Sequence, residues 1–191
     1  MLTLLNIFQA FGLSASAGLN AYIPLLVVAL VARFTNLIKL EAPWDILSSW
    51  WIIGLLVVLS LIEFFADKIP AVNHVNDAIQ TFIRPAAGAV VFAASANVIT
   101  DIHPILSLGL GLIVAGGVHT VKSVAVRPAV TAATGGAANV PVSILEDVVS
   151  TIISFLSVVI PVLLLCILLL VLAYILWRMF TRRPAASAKG R

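Results

Sequence analysis

Charge is scarce in this chain. Asp, Glu, Lys and Arg make up 10% of its 191 residues, whereas a soluble domain devotes roughly a quarter of its residues to them. So few polar groups cannot cover a water-facing surface. With 62% hydrophobic residues and a mean hydropathy of +1.17, the apolar excess is expected to face lipid. Soluble enzymes and nucleic-acid binders are thereby excluded. The net charge of +3 does not restore them, because five of the eleven basic residues, Arg178, Arg182, Arg183, Lys189 and Arg191, crowd the C-terminus. Cysteine is nearly absent as well. The one thiol, Cys166, lies in an apolar run, which excludes a disulfide framework and a thiolate metal cluster and leaves packing as its role.

Other absences narrow the chemistry. Met1 to Phe11 has no basic stretch ahead of its apolar residues, so no signal peptide is expected and the N-terminus belongs to the folded protein. His74, His103 and His119 lack metal-site spacing, and neither a Ser-His-Asp order nor a lysine-bearing glycine-rich phosphate loop is present. No metal, no cofactor and no enzymatic activity are expected. Glu63, Asp67 and His119 are the acid-base groups that a lipid-acting enzyme would have to use.

What is present is a series of long segments free of Asp, Glu, Lys and Arg: 1–32, 46–62, 85–100, 102–121 and 148–177. A span needs about 20 mostly apolar residues. The first and last segments exceed that and the third falls short, so the expectation is an all-α polytopic integral membrane protein of roughly five to seven membrane segments. Residues 1–180 form one transmembrane domain, and 181–191 a basic tail. Trp177 and Tyr174 suit a membrane interface, and the Arg cluster beyond them places the C-terminus in the cytoplasm.

Two segments carry breaks. Gly12 to Gly18 is rich in glycine and serine, and Pro24 follows. The backbone near Ala15 to Asn20 then needs partners outside a helix, as in a broken or re-entrant segment; a single kinked helix with small residues for close packing is the alternative. Pro161 divides the last segment, setting 142–160 apart as a separate, more amphiphilic helix.

Two internal echoes bear on a possible repeat. Ala15, Gly18, Ala21 and Pro24 match Ala132, Gly135, Ala138 and Pro141, while Arg84-Pro85-Ala86 matches Arg127-Pro128-Ala129. Their spacings differ, so one simple duplication does not explain both. Proline favours the first position of a helix, which marks Pro85 and Pro128 as helix starts. Each would set an arginine beside unpaired N–H groups at the positive end of a helix dipole, a site for phosphate, sulfate or carboxylate. The small residues Ala86-Ala87-Gly88 and Ala129-Val130-Thr131 would admit a headgroup, with Lys122 and His119 adding charge nearby. The plainer reading is that Arg84 and Arg127 snorkel at helix ends.

Glu63 and Asp67 stand i, i+4 on one helical face. An ionisable group inside a span normally lines a cavity, pairs or protonates, so the two would couple transport to protons or pair with the arginines in the empty state. The alternative is a helix end in water, with Glu63 paired to Arg84. Asn76 to Arg84 is amphipathic, with Val75, Ile79 and Phe82 against Asp77, Gln80 and Arg84. Thr100-Asp101 suits a cap for the next helix, and Glu146-Asp147 suits an acid-rich first turn. Asn20, beside the helix break, would hold a substrate or an exposed carbonyl.

At Ser14 to Pro24, Glu63-Phe-Phe-Ala-Asp-Lys-Ile-Pro70 and Asp77 through Arg84-Pro-Ala-Ala-Gly-Ala89, the chain resembles the bacterial family catalogued as domain of unknown function 4126, over most of residues 8–180. The resemblance implies a bacterial multi-pass membrane protein, hence the inner membrane, and no particular activity. Phe82-Ile-Arg84-Pro85-Ala-Ala-Gly88 is similar to a fragment of the DedA-type lipid-phosphate flippase pattern, which implies a polyprenyl-phosphate or phospholipid substrate. The expected function is therefore a transporter or flippase for an anionic lipid headgroup or small anion. Arg84, Arg127, Lys122 and Asn20 would bind it, and Glu63, Asp67 and His119 would couple or pair. Membrane lipids, and a second copy of the chain in a homodimer, are the expected partners. A small ion channel and a structural subunit of a membrane complex are the rival readings.

Overall fold

The computed structural model describes residues 2–96 and 103–181, and among these every regular element is helical. In chain order they are α1 (Leu2–Leu19), α2 (Tyr22–Phe34), a 3₁₀ turn (Trp44–Ser48), α3 (Trp50–Ala66), α4 (Pro70–Ala96), α5 (Pro104–Thr120), a π-helical segment (Val121–Val126), α6 (Arg127–Thr134) and α7 (Asn139–Thr181). Three helical stretches, Asn76–Ala96, Pro104–Thr134 and Asn139–Ile160, are long and apolar enough to cross a membrane, and α2 and α3 are shorter apolar helices.

The bundle buries a hydrophobic core, with Leu13, Leu25, Val28 and Val91 in it, together with a set of polar and charged side chains, and turns a further apolar surface outward. On α4, Ile79 and Phe82 face outward, Phe82 at 80% exposure, while Gln80 and Arg84 are buried. The amphipathicity read from the sequence is therefore present with its apolar face turned out. Val124, Leu145, Ile152 and Phe155 are likewise exposed, and hydrocarbon is the solvent in which such a surface is stable.

Close helix approach builds the centre, where α1 packs against α4, α5 and α7. A Cβ on Gly111 would collide with the Gly88 carbonyl and with Phe92, and one on Gly88 would collide with Ala115. Ser14 Oγ donates to the Gly111 carbonyl at 2.8 Å and lies 3.3 Å from that of Gly88. Ser16 and Ser150 exchange hydroxyl-to-carbonyl bonds of 2.8 and 3.2 Å, and Ser154 Oγ lies 2.7 Å from Ser16 Oγ. Small hydroxyl residues thus join helices where apolar burial alone supplies little net attraction in lipid.

The first segment, 1–32, is broken as expected, but at Asn20 and Ala21 only: the glycine- and serine-rich stretch Gly12 to Gly18 stays inside α1, so Ala15 to Leu19 do not leave the helix. Further expectations are corrected. Pro85 is not a helix start but lies inside α4. Residues 142–160 are not a separate helix, because α7 runs unbroken for 43 residues through Pro161, about 64 Å at 1.5 Å per residue. Glu146 and Asp147 do not form a first turn, since α7 begins at Asn139. Proline inside a membrane helix is tolerated where neighbouring groups or local adjustment satisfy the freed carbonyl. Pro128 follows the π segment at the beginning of α6, but within the continuous helical stretch Pro104–Thr134, so it opens no free helix end either. The widened turn relieves the clash between a proline ring and the preceding turn. Thr100-Asp101 lies outside the described residues, as does the tail from 182, and the Cys166 side chain is likewise not described. α5 is capped by His103, whose Nδ1 accepts from Ile105 N–H at 3.3 Å.

Candidate functional site

Buried charge collects where the C-terminal ends of α1 and α3, the N-terminal half of α4, the π segment and the first turns of α7 meet. Glu63 comes from α3 and Asp67 caps it. Their i, i+4 spacing turns both carboxylates inward, and both are buried. Arg84 is fully buried; its Nη2 and Nε donate to Glu63 Oε1 at 2.9 and 3.3 Å. Glu63 Oε2 is buried without a hydrogen-bond partner.

Asp67 is the hub. Its Oδ2 lies 3.6 Å from Arg84 Nη2, 3.6 Å from Arg127 Nη2 and 4.0 Å from Lys122 Nζ. Ser143 Oγ donates to the same oxygen at 3.4 Å, and Asn76 Nδ2 donates to Oδ1 at 2.6 Å. The two arginines of the Arg-Pro echo thus converge on one oxygen, although one proline is interior to a helix and the other follows a π segment.

Glu146 completes the cluster, with Oε2 2.9 Å from Lys122 Nζ and 3.0 Å from Arg127 Nη2. Residues five apart diverge by about 140° on an α-helix. The π turn, with Arg127 N–H bonded to the Lys122 carbonyl, brings both cations to one carboxylate. Arg127 Nε and Nη1 remain buried without partners.

The helix break supplies two dipole ends. Lys122 Nζ donates to the Leu19 carbonyl at the C-terminus of α1, at 3.0 Å. Asn20 Oδ1 accepts from Tyr22 and Ile23 N–H at the start of α2, both at 3.1 Å, and Asn20 Nδ2 donates to Asp147 Oδ1 at 2.9 Å. A cation therefore sits at the negative end of α1 and a carboxylate near the positive end of α2, each where the dipole favours it. Lys68 pairs with Asp147 at 3.2 Å.

His119 stands at the edge of the cluster. Arginine has no acceptor, so Arg84 Nη1 donates to His119 Nδ1 at 3.3 Å. The ring is then neutral with its proton on Nε2, which donates to Thr81 Oγ1 at 3.2 Å. Thr81 in turn donates to the Asp77 carbonyl at 2.8 Å.

All seven residues singled out from the sequence thus meet in one region. Arg84 and Arg127 do not snorkel outward, because both are buried. Of Ala86-Ala87-Gly88, Ala87 and Gly88 are buried, Gly88 against α5 and Ser14, so their small size serves helix packing, while Ala86 is exposed. Asn20 meets backbone N–H groups and Asp147, and the exposed carbonyl beside it is held by Lys122. Glu146, Asp147, Lys68, Asn76 and Ser143 are further members that sequence reasoning does not place in the site. A signal for three of them exists: Ser143, Glu146, Asp147, Ser150 and Ser154 fall at helical spacing on an otherwise apolar segment.

These features define an all-helical bundle with an apolar exterior, closed around a buried network of ion pairs. Residues 7–181 match the model of the family described as domain of unknown function DUF4126, and the chain belongs to that family. No curated protein and no solved structure matches the chain.

Proposed function

We propose that this chain is a multi-pass protein of the bacterial cytoplasmic membrane that translocates an anionic substrate together with a proton. In this reading α1, α2 and α3 join the three longer stretches as membrane segments, and Arg178 with the basic residues after it holds the C-terminus in the cytoplasm. The observation that carries the reading is the cluster of Arg84, Lys122 and Arg127 against Glu63, Asp67 and Glu146, placed at a broken helix. Ionisable groups within apolar helices mark substrate or ion paths, and broken helices mark transporter sites.

Coupling follows from charge balance. The three cations are already held by three carboxylates, so an arriving anion must displace one of them. A carboxylate left buried without its partner costs several kcal/mol. Taking up a proton removes that cost, and anion entry then leaves the cluster's net charge unchanged. Glu63, with one oxygen unpartnered, and Glu146, shared by two cations, are the groups positioned to accept it.

The test is uptake into proteoliposomes carrying an internal pH indicator, with inorganic phosphate, sulfate and hexyl phosphate offered in turn under an inward proton gradient. Wild type is expected to acidify the lumen with at least one anion, and Glu63→Gln to lose the proton movement. Uptake that ignores the gradient and carries current would favour a channel. No response to any of the three would sink translocation.

A further inference from the structure

Between the end of α1, the π segment and α7, a cleft of about 470 Å³ lies against the charged cluster. Its walls include Val121, Val126, Val142 and Val149, with Lys122 and Glu146 as the charged residues of the lining. The volume falls within the range of ligand pockets, about 300–1,000 Å³. Valine walls offer nothing to a small hydrated anion, whereas hydrocarbon gains from contact with them.

Glu146 belongs to both cleft and cluster. It lines the first, and in the second its Oε2 holds Lys122 and Arg127. Beyond it, two of the three guanidinium nitrogens of Arg127 are buried and unpartnered. An anion that replaced the Glu146 carboxylate would therefore gain an ammonium and an incompletely satisfied guanidinium, while anything attached to it lay along the valines.

We propose that the cleft receives an anionic amphiphile, with its hydrocarbon chain against the valine walls and its head displacing Glu146 from Lys122 and Arg127. This rests on the anion-translocation reading and names its substrate class: a charged head on an apolar chain that enters sideways from the membrane. Charge complementarity selects the anion, because both groups that Glu146 would release are cations. The cleft selects the chain.

The test uses the full chain in phosphatidylcholine nanodiscs, with dodecyl phosphate bearing a diazirine in its chain as the probe and the matching diazirine alcohol as the neutral control. Photolabelling is expected within 117–126 and 142–149, about tenfold above the alcohol, an affinity difference of roughly 1.4 kcal/mol. Unlabelled dodecyl phosphate should compete, and the same concentration of inorganic phosphate should not. Two variants sharpen the result. A Cβ added at Gly117, in the cleft wall, meets nothing within 4 Å, so the backbone accepts Gly117→Phe, whose ring is expected to occupy the cleft and abolish labelling, with an unchanged thermal midpoint as the check that the ion pairs are intact. Glu146→Gln removes the competing carboxylate and should raise labelling severalfold.

Equal labelling by phosphate and alcohol, labelling outside those two stretches, or persistence in Gly117→Phe would overturn the proposal. So would competition by inorganic phosphate as strong as that by dodecyl phosphate, which would leave a small-anion site and the translocation reading intact. Conversely, the expected labelling in a protein that moves no anion into proteoliposomes would support the amphiphile site and overturn transport.

Discussion

Arg84 and Glu63, 21 residues apart in the chain, meet through two hydrogen bonds to a single carboxylate oxygen, Nη2 at 2.9 Å and Nε at 3.3 Å. Both side chains are fully buried, so each offsets part of the cost of burying the other's charge, with Asp67 3.6 Å from the same Arg84 nitrogen. Removing one partner of such a pair costs about 3–5 kcal/mol, whereas replacing both with apolar residues is often neutral. Arg84→Met should therefore lower the thermal midpoint in detergent by more than Arg84→Met/Glu63→Met does. A double variant as unstable as the single one would show that the pair is not the source of the loss. The double variant should be inactive in proton-coupled uptake even if stable.

Asn20 is expected to separate capping from charge. Asn20→Ala loses the bonds to Tyr22 and Ile23 N–H and the bond to Asp147, at about 1 kcal/mol for the cap alone. Aspartate caps a helix as well as asparagine does, yet Asn20→Asp would face Asp147 with a like charge at the place of a 2.9 Å hydrogen bond. Thermal unfolding should rank wild type above Asn20→Ala, and Asn20→Ala above Asn20→Asp. The reverse order of the two variants would mean that the cap outweighs the carboxylate contact with Asp147, which Lys68 also pairs.

Glycines divide by what surrounds them. Gly111→Ala should lower the thermal midpoint, since its new Cβ meets the Gly88 carbonyl, Phe92 and Ala89, an overpacking worth about 1–3 kcal/mol. Gly54→Ala and Gly109→Ala, where nothing lies within 4 Å, should be neutral or slightly stabilising through helix propensity. Equal losses at all three sites would place the α4 and α5 contact elsewhere.

The inverted amphipathicity of α4 makes opposite predictions for neighbouring residues. Phe82→Asp places a charge on an outward, apolar face, an insertion cost of about 2.5–3.5 kcal/mol near a helix centre. Gln80 is buried with its Oε1 unpartnered, so Gln80→Met removes an unsatisfied oxygen along with a side-chain hydrogen bond to Tyr22, and adds no charge. Membrane-fraction yield should fall for Phe82→Asp and hold for Gln80→Met. Equal yields would mean that this face of α4 does not meet lipid.

Much of the site is legible in the amino-acid sequence because charge is rare here. In a chain with eight acidic residues, Glu63 and Asp67 at i, i+4 beside an apolar run are conspicuous, and the same scarcity exposes Arg84, Lys122 and Arg127. Glu146 and Asp147 escape for a local reason. Counting from Pro141 makes them a first turn, but α7 begins earlier and buries the polar stripe to which they belong. Pro85 and Pro161 mislead similarly, since each lies inside a continuous helix and proline's local preference for a helix start yields there.

By itself the sequence determined the helical class, the apolar exterior, the break before α2 and the identity of most charged partners, because each follows from composition or from a spacing within one helix. Only the tertiary structure decided that Arg84 and Arg127 meet on one oxygen of Asp67, that a π turn brings Lys122 and Arg127 to Glu146, and that Gly88 closes a helix contact rather than receiving a ligand. The physical reason is that these relationships depend on how helices far apart in the chain are rotated against one another. That rotation is set by packing over the whole bundle and leaves no mark in any single segment.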